Sequence, residues 1–78
     1  MDHEAVLEFE YPDVKSARIV EHSVAQEVDE IGDERTTAAV ARDGQRVIVT
    51  VSASDLVALR AGLNTWTGLV TVAEASGL

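Results

Sequence analysis

Residues 56–73 read LVALRAGLNTWTGLVTVA and carry one charged side chain, Arg60, in a 78-residue chain that has 14 acidic and 6 basic residues. Apolar residues recur there at three- and four-residue steps, which predicts one apolar side of a helix: Leu56, Leu59, Leu63, Trp66 and Val70. Val57, Ala61 and Val72 fall on the opposite side. A helix that is apolar nearly all round is normally buried on two sides, and a chain this short has little material to bury it twice. We therefore expect a partner to cover the second side.

The composition predicts one small acidic domain over residues 1–78. A domain of this length buries only about 60% of its unfolded surface and is marginal alone. The net charge of −8 disfavours an autonomous nucleic-acid binder, because phosphate affinity needs clustered Lys and Arg. It suits a protein kept soluble at high salt, and we hold a halophilic source as a hypothesis beside an ordinary acidic protein.

Processing and membrane signals are weak. The chain has no cysteine, so a reducing cytoplasm fits, and the start MDHEAVLEFE lacks the pattern of a signal peptide. Residues 56–73 approach the length of a membrane span, but an Arg, an Asn, three Thr and two Gly make insertion costly. We expect a cytoplasmic protein with no membrane association.

The first half of the chain predicts a strand and an amphipathic helix. Partial alternation over Glu4–Tyr11 indicates a half-buried strand, and Asp13 is suited to cap a helix that begins near Val14. The helix has one apolar stripe, formed by Ala17, Val20, Val24, Val28 and Ile31. Gly32 is expected to end it.

The second half predicts a hairpin and a second helix. The strands 35–42 and 45–53 are joined by Asp43-Gly44, a strong two-residue hairpin signal. The second of them is apolar on much of both faces, so it is expected inside the sheet. Ser52 or Ser54 is expected to cap the second helix, with Asp55 in its first turn. The predicted fold is α+β, a two-layer β-α-β-β-α arrangement with both helices on one face of a three-stranded antiparallel sheet.

Catalytic and metal-binding patterns are not recognisable. His3 and His22 have no matching carboxylates nearby, and we interpret both as solvated surface residues. The acidic residues 29, 30, 33 and 34 lack the ligand spacing of a calcium loop, and no serine has a recognisable base and acid around it. The glycines are isolated, so no phosphate loop is present. We expect no enzyme activity, no cofactor and no metal.

Three short motifs carry a resemblance to a known family. The run Leu59-Arg60-Ala61-Gly62-Leu63-Asn64-Thr65, preceded by Ala53-Ser54-Asp55, resembles the helix signature of the small dimerising subunit of the KEOPS complex (the CTAG/PCC family). Phe9-Glu10-Tyr11-Pro12 is similar to the end of that family's first strand, and Arg35-Thr36 to its Arg-Ser pair. Gly62 replaces an alanine of the family pattern, and Thr36 and Thr65 replace serines. The resemblance covers roughly Leu7 to Ala73.

The resemblance implies a non-catalytic scaffold. Members of this family form homodimers and pack their helices on a helical hairpin of the catalytic subunit that installs threonylcarbamoyl on adenosine of certain tRNAs. They contact tRNA indirectly, through the complex. A stand-alone KH-like RNA-binding module is the alternative, although the GxxG clamp of that module is absent. A simple dimer or compact monomer would also explain a helix with two apolar sides.

The helical wheel divides the second helix into two sides. Leu56, Leu59, Leu63 and Val70 are expected to face the sheet. The predicted partner-binding residues lie on the other side or at its border: Val57, Arg60, Ala61, Asn64 and Gly68. Arg60 is suited to pair with a carboxylate across an interface.

Overall fold

The computed structural model describes residues 2–28 and 35–77, and these follow the order β-α-β-β-α. The elements are β1 (His3–Glu10), α1 (Val14–Ala25), β2 (Thr36–Asp43), β3 (Arg46–Ala53) and α2 (Leu56–Gly77). The predicted α+β class is confirmed.

The three strands form an antiparallel sheet in the order β1-β3-β2, so the predicted interior position of β3 is confirmed. Alternate residues of β3 are fully buried beneath the helices: Val47, Val49, Val51 and Ala53. Both neighbours are in register with this row, since Leu7 of β1 and Val40 of β2 both pair with Val49. The core therefore lies between the centre of the sheet and the helix layer.

The hairpin turn differs by one residue from its prediction. Asp43 pairs with Arg46, which leaves Gly44 and Gln45 as the two loop residues. Gly44 has a φ of 63°, a left-handed conformation that glycine adopts without steric cost. The predicted Asp43-Gly44 loop was wrong because the ladder continues through Asp43.

Helix α1 begins as predicted and ends earlier. Asp13 is its N-cap, and its side chain accepts a 2.7 Å hydrogen bond from the amide of Ser16. This bond lowers the pKa of Asp13. The helix buries Ala17, Val20 and Val24 and then tightens, since the amide of Glu27 donates to the carbonyl of Val24 at 3.0 Å. The predicted end at Ile31 and Gly32 lies outside the described residues.

Helix α2 approaches the sheet along small residues. It buries Ala58, Trp66, Val70 and Ala73, while Leu59, Leu63 and Leu69 are partly buried against the core. A Cβ atom added to Gly62 would lie 2.9 Å from Cγ1 of Val51, so the absence of a side chain allows this close approach.

One residue of α2 was assigned to the wrong side. Leu56 was predicted to face the sheet, and it is 66% exposed. It is the first residue of the helix and lies at the margin of the buried side, because the line that contacts the sheet passes through Ala58 and Gly62.

Candidate protein-docking surface

The N-terminus of α2 is fixed by an aspartate and an arginine. Oδ1 of Asp55 accepts a 2.7 Å hydrogen bond from the amide of Ala58, so Asp55 is the capping residue and the predicted cap at Ser52 or Ser54 was wrong. Arg35 donates to both oxygens of Asp55, at 3.1 and 2.9 Å. The hydrogen bond from the amide of Ala58 and the guanidinium of Arg35 both lower the pKa of Asp55. A carboxylate serves both as cap and as ion-pair partner, which a serine hydroxyl cannot do.

The outer face of α2, defined here as Val57, Arg60, Ala61, Asn64 and Gly68, is solvent-exposed at all five positions. These are the predicted partner-binding residues, and the structure brings them together on one exposed side of the helix. Val57 has 75% of its surface exposed, and Val72 on an adjoining line has 62%. One charge, that of Arg60, lies among the five.

Two threonines beside the outer face add little polarity to it. The hydroxyl of Thr65 donates to the carbonyl of Ala61 and that of Thr71 donates to Thr67, each at 2.9 Å. The hydroxyls are therefore satisfied within the helix, and the methyl groups remain available for packing. Gly68 has no atom within 4 Å of the position a Cβ would take, so its backbone is open to close approach.

Arg60 forms no ion pair within the described part of the chain, whereas three other arginines do. Arg35 pairs with Asp55, Arg42 with Glu21, and Arg46 with Glu8 and Glu10. The bond to Glu10 is the main cause of a raised pKa for Arg46. Among the described residues, Lys15, Arg18 and Arg60 form no ion pair. Arg60 is thus available to a carboxylate from another molecule.

A groove separates the first half of α2 from β2. It holds about 170 Å³ and is lined on the helix side by Ala58, Ala61, Gly62, Thr65 and Trp66, with Val57 at its rim. On the strand side it is lined by consecutive residues, Thr36, Thr37 and Ala38. Because neighbouring strand residues point to opposite faces, a groove lined by all three opens at the edge of the sheet.

Polar contacts also connect each helix to the sheet or to the loop that follows β1. Nε of Arg42 on β2 donates to Glu21 of α1 at 3.0 Å. The hydroxyl of Tyr11, which follows β1, donates to Oε2 of Glu74 near the end of α2 at 2.7 Å. Burial of Tyr11 and its bond to Glu74 both raise the pKa of this phenol. The orientation of α2 is therefore fixed at both ends.

The described residues were also compared with the requirements of a metal site and of a membrane span. Within residues 2–28 and 35–77, no three His, Asp or Glu side chains are grouped so that they could hold a metal ion. In the same part of the chain, no helix is long and apolar enough to cross a membrane. His3 lies in β1, and His22 lies on the exposed side of α1, beside Gln26.

The fold and this surface define a class of small two-layer α+β domains with an outward apolar helix. The family model described as transcription factor Pcc1 matches residues 4–76, nearly the whole chain. The chain therefore belongs to the Pcc1 family, the small non-catalytic subunit of KEOPS, and the predicted resemblance is confirmed. No curated protein gives a significant match.

Sequence reasoning missed the roles of Arg35 and Asp55 and the groove beside β2. Asp55 immediately precedes the apolar run, so its position alone could have indicated a cap. The groove had no such signal, because it depends on how α2 crosses the sheet.

Proposed function

We propose that this protein is the non-catalytic scaffold subunit of a KEOPS complex, which homodimerises and docks on the catalytic threonylcarbamoyl transferase subunit. In this role it supports threonylcarbamoyl-adenosine modification of tRNA and contacts the tRNA through the complex. Membership of the Pcc1 family supports a KEOPS-related role. The observation that carries the proposal is the outer face of α2, which is exposed, has one charged side chain and is not required to cover the sheet.

The chemistry of the outer face favours a helical partner. Ala61 and Gly68 have little or no side chain, and small residues let two helix backbones approach closely. Val57 supplies exposed apolar area, whose removal from water is worth about 25 cal/mol per Å². Arg60 has a planar fork suited to a carboxylate of the partner. We propose that these residues, with part of α1, form the docking surface for the catalytic subunit.

A charge placed in the middle of this surface tests the docking. Ala61→Glu introduces a bulky anion at an exposed helix position, so the free domain should fold normally. The variant should keep the circular dichroism and the mass of the wild type, yet fail to retain the tagged catalytic subunit in a pull-down.

The matched control is Ala75→Glu. Ala75 is an exposed alanine near the C-terminal end of the same helix, outside the proposed surface. This variant should bind as the wild type does. Normal binding of Ala61→Glu would place the docking surface elsewhere, and unfolding would show that Ala61 belongs to the core.

A measurement of the mass in solution tests the proposed homodimer separately. Light scattering at micromolar concentrations should give a mass near twice that of one 8.3 kDa chain. A monomer over that range would contradict the homodimer and the bridging role. Strong retention of tRNA by the isolated protein at physiological salt would instead favour the KH-like alternative.

A further inference from the structure

One face of the sheet has no helix packed on it. Alternate residues of β3 are buried beneath the helices, so the residues between them point to the other side of the sheet. We call this side the open face. With their partners in register, its residues are Glu4, Val6, Glu8 and Glu10 on β1, Arg46, Ile48, Thr50 and Ser52 on β3, and Thr37, Ala39, Ala41 and Asp43 on β2.

The centre of the open face is apolar. Val6 is 53% exposed, Ala39 and Ala41 are exposed on β2, and Ile48 is partly exposed between the two outer strands. Val6 and Ala39 both pair with Thr50, and Ile48 pairs with Ala41, so these residues fill the two middle rows of the sheet. An apolar centre inside a charged rim is the arrangement found in protein–protein interfaces.

The rim of the open face is acidic. Four carboxylates lie around the centre, those of Glu4, Glu8, Glu10 and Asp43, against the single cation of Arg46. Arg46 is already engaged, because it lies 2.9 Å from Glu10 and 3.8 Å from Glu8. Among the described residues, Glu4 and Asp43 form no ion pair. A molecule that covers this face therefore needs cationic groups at its own rim.

The shape of the open face suits a helix. The β1 side is raised by three glutamates, whereas the β2 side is low because Ala39 and Ala41 have short side chains. A strand of eight residues is about 26 Å long, and three strands span about 10 Å. These are the dimensions of a helix of about 17 residues, which is about 26 Å long and about 10 Å wide.

Charge argues against two other occupants. A second copy of this chain would bring two acidic rims into contact, and repulsion between like charges opposes that association. A nucleic acid would place its phosphates against the same carboxylates, where it needs Lys and Arg.

We infer that the open face binds an amphipathic helix of another protein, whose apolar stripe covers Ile48, Ala39 and Ala41 and whose Lys or Arg side chains pair with Glu4 and Glu8. The inference goes beyond the proposed function and does not rest on it. The helix layer, which includes the outer face of α2, lies on the other side of the sheet. The domain can therefore hold this partner and the proposed catalytic subunit at the same time.

A synthetic peptide serves as the probe. It is a helix of about 18 residues with Leu and Ala along one stripe and Lys along both borders of that stripe. Fluorescence anisotropy of the labelled peptide is followed as the full chain is added, at the lowest salt, from about 0.15 M upward, at which circular dichroism shows the domain folded. Saturable binding of one peptide per chain is expected, and no binding would overturn the inference.

Two control peptides separate shape from charge. One has Glu in place of every Lys, and the other has the same composition with Leu and Lys in shuffled order. Both should bind at least about tenfold more weakly than the probe, because one lacks the complementary charge and the other lacks the stripe. Equal binding of the shuffled peptide would show attraction to the net charge alone and would contradict a docking site.

A matched pair of charge variants locates the binding. Glu4→Lys lies on the rim, and Glu27→Lys makes the same change in net charge on the helix side, beside Leu69 of α2. Glu4→Lys should raise the dissociation constant of the probe by about tenfold or more. Glu27→Lys should change it by less than about twofold, because charges farther apart than the Debye length, about 8 Å at 0.15 M, are screened. Equal weakening by both variants would place the peptide elsewhere.

A cysteine at the centre of the open face tests for a second copy. The chain has no native cysteine, and Thr50 lies in the middle of the apolar centre. Thr50→Cys should stay largely unlinked under mild oxidation, and excess probe should slow its reaction with a maleimide at least about fivefold. The control is Val57→Cys on α2, whose reaction the probe should not slow. Extensive linkage of Thr50→Cys would show that a second copy covers the open face, and equal protection of both thiols would contradict binding at this face. Either result overturns the inference and leaves the proposed docking through α2 standing.

Discussion

Helices α1 and α2 cover the same face of the sheet but differ in what they expose to solvent. α1 buries Val20 and Val24 and exposes Lys15, Arg18 and His22, the arrangement expected of a helix whose outer side meets water. α2 buries an apolar side of its own and exposes Val57 and Val72 together with alanine, glycine and threonine. Folding explains the buried side of both helices but gives no role to the outer face of α2, which is the face that we propose for docking.

The largest effect expected in this comparison comes from the buried side of α2. Trp66 is 4% exposed, and Trp66→Ala should lower the free energy of unfolding by about 3–5 kcal/mol. Val20→Ala on α1 removes two methyl groups from a fully buried side chain and should cost about 2 kcal/mol. Urea unfolding followed by circular dichroism measures both.

The outer face supplies the control for Trp66. Val57→Ala should change the free energy of unfolding by less than about 0.5 kcal/mol, as is usual for exposed positions. A large loss at Val57 would show that the outer face already contributes to the fold of the monomer, and the distinction between the two sides of α2 would fail.

Much of the fold, including the two sides of α2, could be predicted from the sequence. The two-sided apolar pattern of 45–53 correctly indicated a central strand, and the wheel correctly separated Trp66 and Val70 from Val57 and Ala61. The capping role of Asp13 followed from local chemistry alone. These features depend on residues close together in sequence or on a repeat along one element.

The contact line of α2 could not be predicted in the same way. Hydrophobic patterns give most weight to large side chains and so placed Leu56 against the sheet. The actual approach follows Ala58 and Gly62, because a helix that lies close to β3 needs small residues at the contact. The groove at the β2 edge follows from that same approach, and its position depends on the crossing of two elements.

Two glycines of α2 differ in whether they lie against the sheet. Their substitution should give the second-largest effect on the free energy of unfolding. Gly62→Ala gains up to about 1 kcal/mol of helix propensity, but its Cβ would lie 2.9 Å from the buried Val51. Overpacking of this kind costs about 1–3 kcal/mol, so a net loss of up to about 2 kcal/mol is expected. Gly68→Ala meets no atom within 4 Å and should stabilise the fold by up to about 1 kcal/mol.

A double mutant separates contact from propensity. In a Val51→Ala background the crowded methyl group is absent, so Gly62→Ala should change from destabilising to neutral or stabilising. Urea unfolding of the four proteins in this cycle measures the coupling. A Gly62→Ala cost that stayed the same in both backgrounds would show that the close approach to Val51 is not its cause.

The smallest effect concerns the contact between Tyr11, in the loop between β1 and α1, and Glu74 near the end of α2. Tyr11→Phe removes the 2.7 Å hydrogen bond to Glu74 and should cost about 1 kcal/mol at neutral pH. Burial and this bond raise the pKa of Tyr11 above its ordinary value near 10, so the folded state favours the neutral phenol. The contribution is complete below about pH 10 and is lost as the pH rises through the folded-state pKa.

Tyr11 is the chain's one tyrosine, so the stability difference between wild type and Tyr11→Phe isolates this titration. Urea unfolding followed by the fluorescence of Trp66 should give a constant difference from pH 7 to about pH 9.5 and a shrinking one above it. A difference that stayed flat to pH 11, or grew, would show that the protonated phenol does not stabilise the fold through its bond to Glu74.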